Sequence, residues 1–193
     1  VLALGVGESK SLTTASLRRL GGMLGRHLAK IEAERVEIDL RSAIKDAKLD
    51  EATAMSALGE GLGLIGWHYD SLRGSATKTP TRRKLSLSTP SKASEQGLGR
   101  GLGLAESANR ARDLSQTPPN IATPEYMAAQ SRKLARETGL KCTVYKGKQL
   151  DDHGLTGIKT VGQAAEQGGC LIRLEYTPPR GGKRSKPAVP AAP

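Results

Sequence analysis

The sequence predicts an α/β fold, and three observations carry that prediction. Apolar residues change period along the chain, from two in short runs to three and four in long ones, in the order strand, helix, strand, helix. Two basic segments rich in Ser, Thr, Pro and Gly interrupt this pattern instead of joining it. A break at Thr117-Pro118-Pro119-Asn120 then divides two helical patterns, because proline lacks an amide donor and disfavours helix in the residue before it.

Taken in order, residues 1–6 form a short apolar run ending in Gly5-Val6-Gly7, read as a buried strand and its turn. A helix follows over about residues 14–34, with Leu17, Leu20, Leu24, Leu28 and Ile31 at spacings of three and four. Val36, Ile38 and Leu40 alternate with charged residues, which is the signature of a strand with one buried face. A second helix, about residues 51–69, places Ala54, Leu58, Leu62 and Ile65 on one side. Leu85-Ser86-Leu87 adds a short strand, and a helix from residue 90 or 91 leads to Leu114. Gly97, Gly99, Gly101 and Gly103 weaken that helix by about 1 kcal/mol each relative to Ala.

The stretch from Asn109 to Tyr126 reads helix, hinge, helix. After the double proline, Thr123-Pro124-Glu125 supplies a hydroxyl for the N-cap, a proline for the first helical position and a carboxylate near the positive end of the dipole. The new helix runs to Glu137 and stops at Thr138-Gly139, an expected C-terminal cap. Residues 142–145 read as a strand, 148–153 as a short helical turn, 157–161 as a further strand and 170–176 as a strand. In the last, Ile172, Leu174 and Tyr176 share one face and Arg173 and Glu175 the other. The segment after it is expected to be disordered, having almost nothing to bury.

Composition limits the function classes. The formal charge of +11 is concentrated: residues 74–100 carry Lys78, Arg82, Arg83, Lys84, Lys92 and Arg100 against Glu95, and residues 177–193 carry Arg180, Lys183, Arg184 and Lys186 against no acid. Such runs read as solvated linkers, and a chain with no Phe, one Trp and four Tyr lacks aromatic residues to interleave with bases. No apolar run approaches the roughly 18 residues needed to span a membrane. The first ten residues lack the basic region and cleavage site of a signal peptide, so none is expected. Cys142 and Cys170 read as buried free thiols in a reducing compartment.

Several motifs carry less than their letters promise. Gly61 to Gly66 matches GxGxxG, but a dinucleotide fingerprint needs its glycines at a strand-to-helix turn, and these lie inside a helical pattern where close helix packing explains them. The run Gly97-Leu98-Gly99-Arg100-Gly101-Leu102-Gly103 lacks both a preceding strand and the Lys-Ser/Thr of a phosphate loop. His27, His68 and His153 have no partner at metal-ligand spacing, and Asp151-Asp152-His153 reads as a solvated turn. No catalytic, cofactor-binding or metal-binding residue is therefore assigned within this chain.

The junction resembles the segment between the two domains of the leucyl (cytosol) aminopeptidase family. The matching residues are Asn109, Ala111, Arg112, Asp113, Leu114, Pro118, Pro119, Asn120, Thr123 and Pro124. Gly61-Leu62-Gly63-Leu64 with Trp67-His68-Tyr69-Asp70 looks like the helix closing the family's N-terminal domain. Val161-Gly162-Gln163 with Leu171 to Tyr176 looks like the first strands of its catalytic domain.

The resemblance implies a partial macro-like α/β domain at 1–73, a basic flexible linker at 74–90, an interdomain helix at 91–114, the start of an α/β catalytic domain at 115–176 and a disordered tail at 177–193. For the complete enzyme it implies two divalent metal ions, Mn or Zn, peptide substrates, a homohexamer and a cytoplasmic location. The family's Lys-Gly-x-x-Phe/Tyr-Asp-Ser/Thr-Gly-Gly and Asn-Thr-Asp-Ala-Glu-Gly-Arg segments do not occur here; Lys146-Gly147 is followed by Lys148-Gln149-Leu150. The chain is accordingly read as an incomplete, inactive piece of such an enzyme that binds no metal by itself. The alternative is a basic nucleic-acid-binding module, whose binding would be sequence-independent and steeply salt-sensitive.

Overall fold

A computed structural model describes residues 2–31, 34–72, 74–76 and 84–178. The chain divides into two compact units, Val1–Gln116 and Thr117–Pro193. The expected disorder of the tail falls almost wholly outside the described residues, as does much of the basic linker.

In the first unit, α1 (Thr14–Ile31), β1 (Arg35–Ile38), α2 (Arg41–Asp46), α3 (Glu51–Ile65), β2 (Lys84–Leu87) and α4 (Lys92–Gln116) follow one another, with short 3₁₀ turns at Ser9–Ser11 and Gly74–Ala76. Strands β1 and β2 pair in parallel, Val36 opposite Leu85 and Ile38 opposite Leu87. Their apolar side chains join the core while Arg35, Glu37, Lys84 and Ser86 stay exposed, so the alternation in the sequence reports a half-buried sheet. Leu17, Leu20, Leu24 and Leu28 form the buried stripe of α1. Ile31, expected to continue it, is 57% exposed at the helix end.

Helix α3 lies between α1 and α4. Arg18, Gly21 and Gly25 of α1 meet Gly61, Leu58 and Leu62 of α3, while Ala52, Ser56 and Gly63 of α3 meet Gly97, Gly101 and Ala105 of α4. The paired numbers of α3 and α4 rise together, so these two helices run parallel, as strand–helix–strand crossovers require. Glycine permits the approach: a methyl group at Gly61 would overlap the Arg18 carbonyl, and one at Gly101 the Ser56 carbonyl. The GxGxxG letters thus mark helix packing.

Two further expectations fail in this unit, and one helix was not foreseen. Residues 2–6 form no strand. Leu4 and Val6 still pack against the core, but their backbone finds no ladder partner among the described residues, and a strand is defined by that ladder. They border an apolar cavity of about 380 Å³ together with Leu20, Leu24, Val36 and Ile38. Helix α3 ends at Ile65 rather than Tyr69. Helix α2 was not foreseen, being six residues long with only Ile44 buried.

The second unit contains α5 (Pro124–Thr138), β3 (Lys141–Lys146), α6 (Lys148–Asp152), α7 (Thr156–Gly162) and β4 (Cys170–Glu175). Strands β3 and β4 pair antiparallel, from Lys141 opposite Glu175 to Lys146 opposite Cys170. Helix α5 begins as the sequence predicts: the Thr123 hydroxyl accepts from the Tyr126 N–H, Pro124 occupies the first turn, and Gly139 ends the helix at φ 72°. The expected strand at 157–161 is instead α7, and Val161-Gly162-Gln163 is its end, not a first strand. Leu155 and Ile158 turn inward three residues apart while Val161 is 80% exposed, a helical period that an isolated apolar run conceals.

Candidate functional site

Three of the junction residues that carry the resemblance, Asn109, Arg112 and Asp113, cluster at the C-terminal end of α3. Helix α4 has 25 residues against 15 in α3, so its last turns pass the end of its neighbour. There Asn109 Nδ2 donates to the Gly63 carbonyl at 3.1 Å and Arg112 Nη1 donates to the Leu64 carbonyl at 3.0 Å. Arg112 also donates to Asn109 Oδ1 at 3.2 Å and lies 5.5 Å from the centre of the Trp67 ring. Trp67 Nε1 in turn donates to Asp113 Oδ1 at 2.7 Å.

The physics is that of a helix cap supplied by another helix. The last carbonyls of α3 have no intrahelical donor, and the negative end of its dipole favours a cation. Asn109 and Arg112 answer both requirements, and Asp113 holds the indole that Arg112 covers. The arrangement is structural: it offers no nucleophile next to a base and no open coordination position.

Beyond α4 the chain turns as the double proline demands, with the Ile121 and Ala122 N–H groups both donating to the Pro118 carbonyl at 2.9 and 2.8 Å. At the start of α5, Glu125 accepts from Lys146 Nζ at 3.0 Å and lies 3.6 Å from Arg132 Nη1. The Lys146 ammonium, by hydrogen bond and charge, holds the Glu125 carboxyl below its ordinary range, with Arg132 adding to it. Cys170 Sγ donates to the Pro124 carbonyl at 3.4 Å, and burial followed by the Glu125 charge raises its thiol pKa. A thiol so placed is a poor nucleophile. Cys142 and Cys170 are both free and half-buried rather than buried.

The other residues weighed from sequence stay apart chemically. His27 is exposed on α1, His68 Nδ1 lies 3.2 Å from the Gly66 carbonyl, and His153 ends α6 edge-on to Tyr145 with ring centres 4.6 Å apart. Asp151 is occupied by Lys159 Nζ, at 2.7 and 2.9 Å. Among the described residues no three His, Cys, Asp or Glu side chains come together to hold a metal ion, so the described residues do not fit the bimetallic centre that the resemblance implies. No described helix is long and apolar enough to cross a membrane. Sequence reasoning missed that Asn109, Arg112, Asp113 and Trp67 form one cluster; the signal was Asn, Arg and Asp side chains within one turn of a helix longer than its neighbour.

Comparisons with known proteins agree with the family resemblance of the junction. Residues 1–76 match the model of the cytosol aminopeptidase family N-terminal domain, and residues 109–189 match that of the family's catalytic domain. A probable cytosol aminopeptidase of Acidobacterium capsulatum is 30% identical over 92% of this chain and 35% of the relative. That of Streptomyces griseus is 31% identical over 95% of this chain and 38% of the relative. Among solved structures, the bottromycin maturation enzyme BotP superposes with TM-score 0.78 at 31% identity, over 91% of this chain and 37% of BotP. The cytosol aminopeptidase from Coxiella burnetii, at 20% identity, shares the fold with TM-score 0.61 over 90% of this chain and 32% of that one. Nothing in the comparisons supports the nucleic-acid-binding alternative. The chain spans little more than a third of the length of the curated relatives it matches. With matches to both domain models of one family along most of its length, the chain belongs to the cytosol aminopeptidase family.

Proposed function

We propose that this chain is part of a two-metal aminopeptidase that releases N-terminal residues from peptides, and that the groups performing the chemistry lie in polypeptide outside these 193 residues. The observation that carries the reading is the pair of family matches, at 1–76 and 109–189, either side of a short unmatched stretch. The absence of both ligand-bearing signature segments from the sequence supports placing the chemistry elsewhere. Two divalent ions, Mn or Zn, bound in the whole enzyme would supply Lewis-acid polarisation of a peptide carbonyl and activation of a water. A solved complex of BotP with Mn supports the choice of metal class.

On this reading the chain alone binds neither ion and is inactive. Its organisation is a partial macro-like domain at 1–73, a basic linker at 74–90 in which β2 is embedded, an interdomain helix at 91–114, the start of the catalytic domain at 115–176 and a tail at 177–193. The whole enzyme is a cytoplasmic homohexamer. Hydrolysis of leucine p-nitroanilide with added Mn²⁺ tests this: the 193-residue protein shows no metal-dependent turnover, whereas a longer product of the same reading frame does. Metal-dependent turnover by the 193 residues overturns it.

A second reading is that the whole protein is a dedicated maturation enzyme rather than a general peptidase. It is favoured by the likeness to BotP, at TM-score 0.78 against 0.61 for the Coxiella enzyme. Efficient turnover of many unrelated dipeptides by the longer product counts against it.

A further inference from the structure

The cavity of about 380 Å³ in the first unit is bounded by apolar side chains of α1 and α3 and by residues 2–6, of which every second one, Leu2, Leu4 and Val6, lines it. Its remaining wall is β1 and the two residues after it. Arg35, Glu37 and Asp39 border the cavity together with Val36, Ile38 and Leu40, although successive side chains of an extended chain point to opposite faces. Six consecutive residues can border one space only where it reaches the edge of the strand, so the backbone itself forms this wall.

The ladder to β2 shows which backbone groups lie there. The Lys84 N–H donates to the Glu34 carbonyl at 2.8 Å and the Ser88 N–H to the Ile38 carbonyl at 3.1 Å. Residues of a strand direct their N–H and C=O groups alternately to either side, so the even-numbered residues serve β2 while Arg35, Glu37 and Asp39 direct theirs away from it. Those groups have no hydrogen-bond partner among the described residues. Large apolar side chains at the same cavity are also left in the open, Leu2 at 45% and Ile31 at 57% exposure.

We infer that this cavity is a strand-acceptor site, filled by an extended apolar segment that belongs to the same enzyme and lies outside these 193 residues, an assignment that rests on the function proposed above. The entering segment hydrogen-bonds along the free edge of β1 and sets its side chains on Leu20, Leu24 and Leu28 of α1. Adding a strand to a sheet edge draws affinity from main-chain bonds and specificity from alternate side-chain pockets, and both are present. Walls contributed by α1, β1 and residues 2–6 restrict the occupant to a single chain and exclude the edge of another folded domain. Every wall lies within the match to the family's N-terminal domain, and the chain spans little more than a third of the length of its relatives. Most of a protein of that length is therefore available to supply one strand.

Hydrogen–deuterium exchange resolved to single residues tests this on the 193-residue protein and on a longer product of the same reading frame. In the 193-residue protein the Glu37 and Asp39 amides exchange roughly tenfold or more faster than those of Val36 and Ile38, and in the longer product that gap closes. A gap of the same size in both proteins overturns the inference. So does protection of Glu37 in the 193-residue protein that disappears on dilution, which would place a second copy in the cavity. Glu37→Pro supplies an independent readout, because proline at this position removes a donor that only the added strand uses. It lowers the melting temperature of the longer product more than that of the 193-residue protein, whereas Ile38→Pro, which breaks the ladder to β2, harms both; equal effects of Glu37→Pro overturn the site. Turnover of leucine p-nitroanilide by the longer product is scored separately, so failure of the strand site and failure of the aminopeptidase reading are told apart.

Discussion

At the scale of the residue, the run from Gly97 to Gly103 contains glycines of two kinds. A methyl group at Gly97 or Gly101 would overlap backbone carbonyls of α3, whereas at Gly99 or Gly103 it meets nothing within 4 Å among the described residues. Overpacking a tight contact costs about 1–3 kcal/mol, and replacing an exposed helical glycine by alanine gains up to about 1 kcal/mol. Gly101→Ala therefore lowers the urea midpoint and Gly99→Ala raises it, with opposite signs two residues apart. From sequence all four looked alike, because helix propensity is local and the partner that sorts them lies some 45 residues earlier. Glu125 shows a second residue-scale effect. Its folded pKa is lowered by Lys146, so its stabilisation is present above the unfolded value of about 4.3 and is lost as pH falls through the lower folded value. Urea titrations from pH 6 downwards should show less acid sensitivity in Glu125→Gln than in the parent, and an identical slope would refute the pairing.

At the scale of the element, legibility followed the locality of the signal. Helix α5 was predicted nearly to the residue because its stop and start signals are in its own sequence: Thr123, Pro124 and Gly139. Replacing Thr123 by Ala should cost about 1 kcal/mol in unfolding free energy, while Thr123→Ser costs little. The long helices and the β1, β2, β3 and β4 strands were equally plain, since each shows a period against a polar background. Residues 2–6 and 157–161 misled for one reason. A short apolar run says that side chains are covered, but whether the backbone pairs with a neighbour or coils depends on what lies beside it. The cluster at the end of α3 was half legible: its residues were singled out by resemblance, but their role as a cap appears only when α4 is seen to outrun α3.

At the scale of the whole molecule, the family is secure: residues 1–76 and 109–189 match the models of its two domains. Asn109, Arg112 and Asp113, at the start of the match to the catalytic-domain model, bond to the end of α3 and to Trp67, so substituting them should alter stability before it alters turnover. Arg112→Ala in a longer, active product is expected to lower the melting temperature while leaving KM for leucine p-nitroanilide within about twofold; a tenfold rise in KM would place Arg112 in the site instead. One feature of this architecture serves the experimenter directly. Trp67 is the only tryptophan in the chain, and it sits where Asp113 grips its ring nitrogen and Arg112 covers its face. Excited at 295 nm, the protein emits almost entirely from that one spot, so the colour and lifetime of its intrinsic glow should follow the clasp itself, without a dye, and betray its opening while the remaining helices still hold.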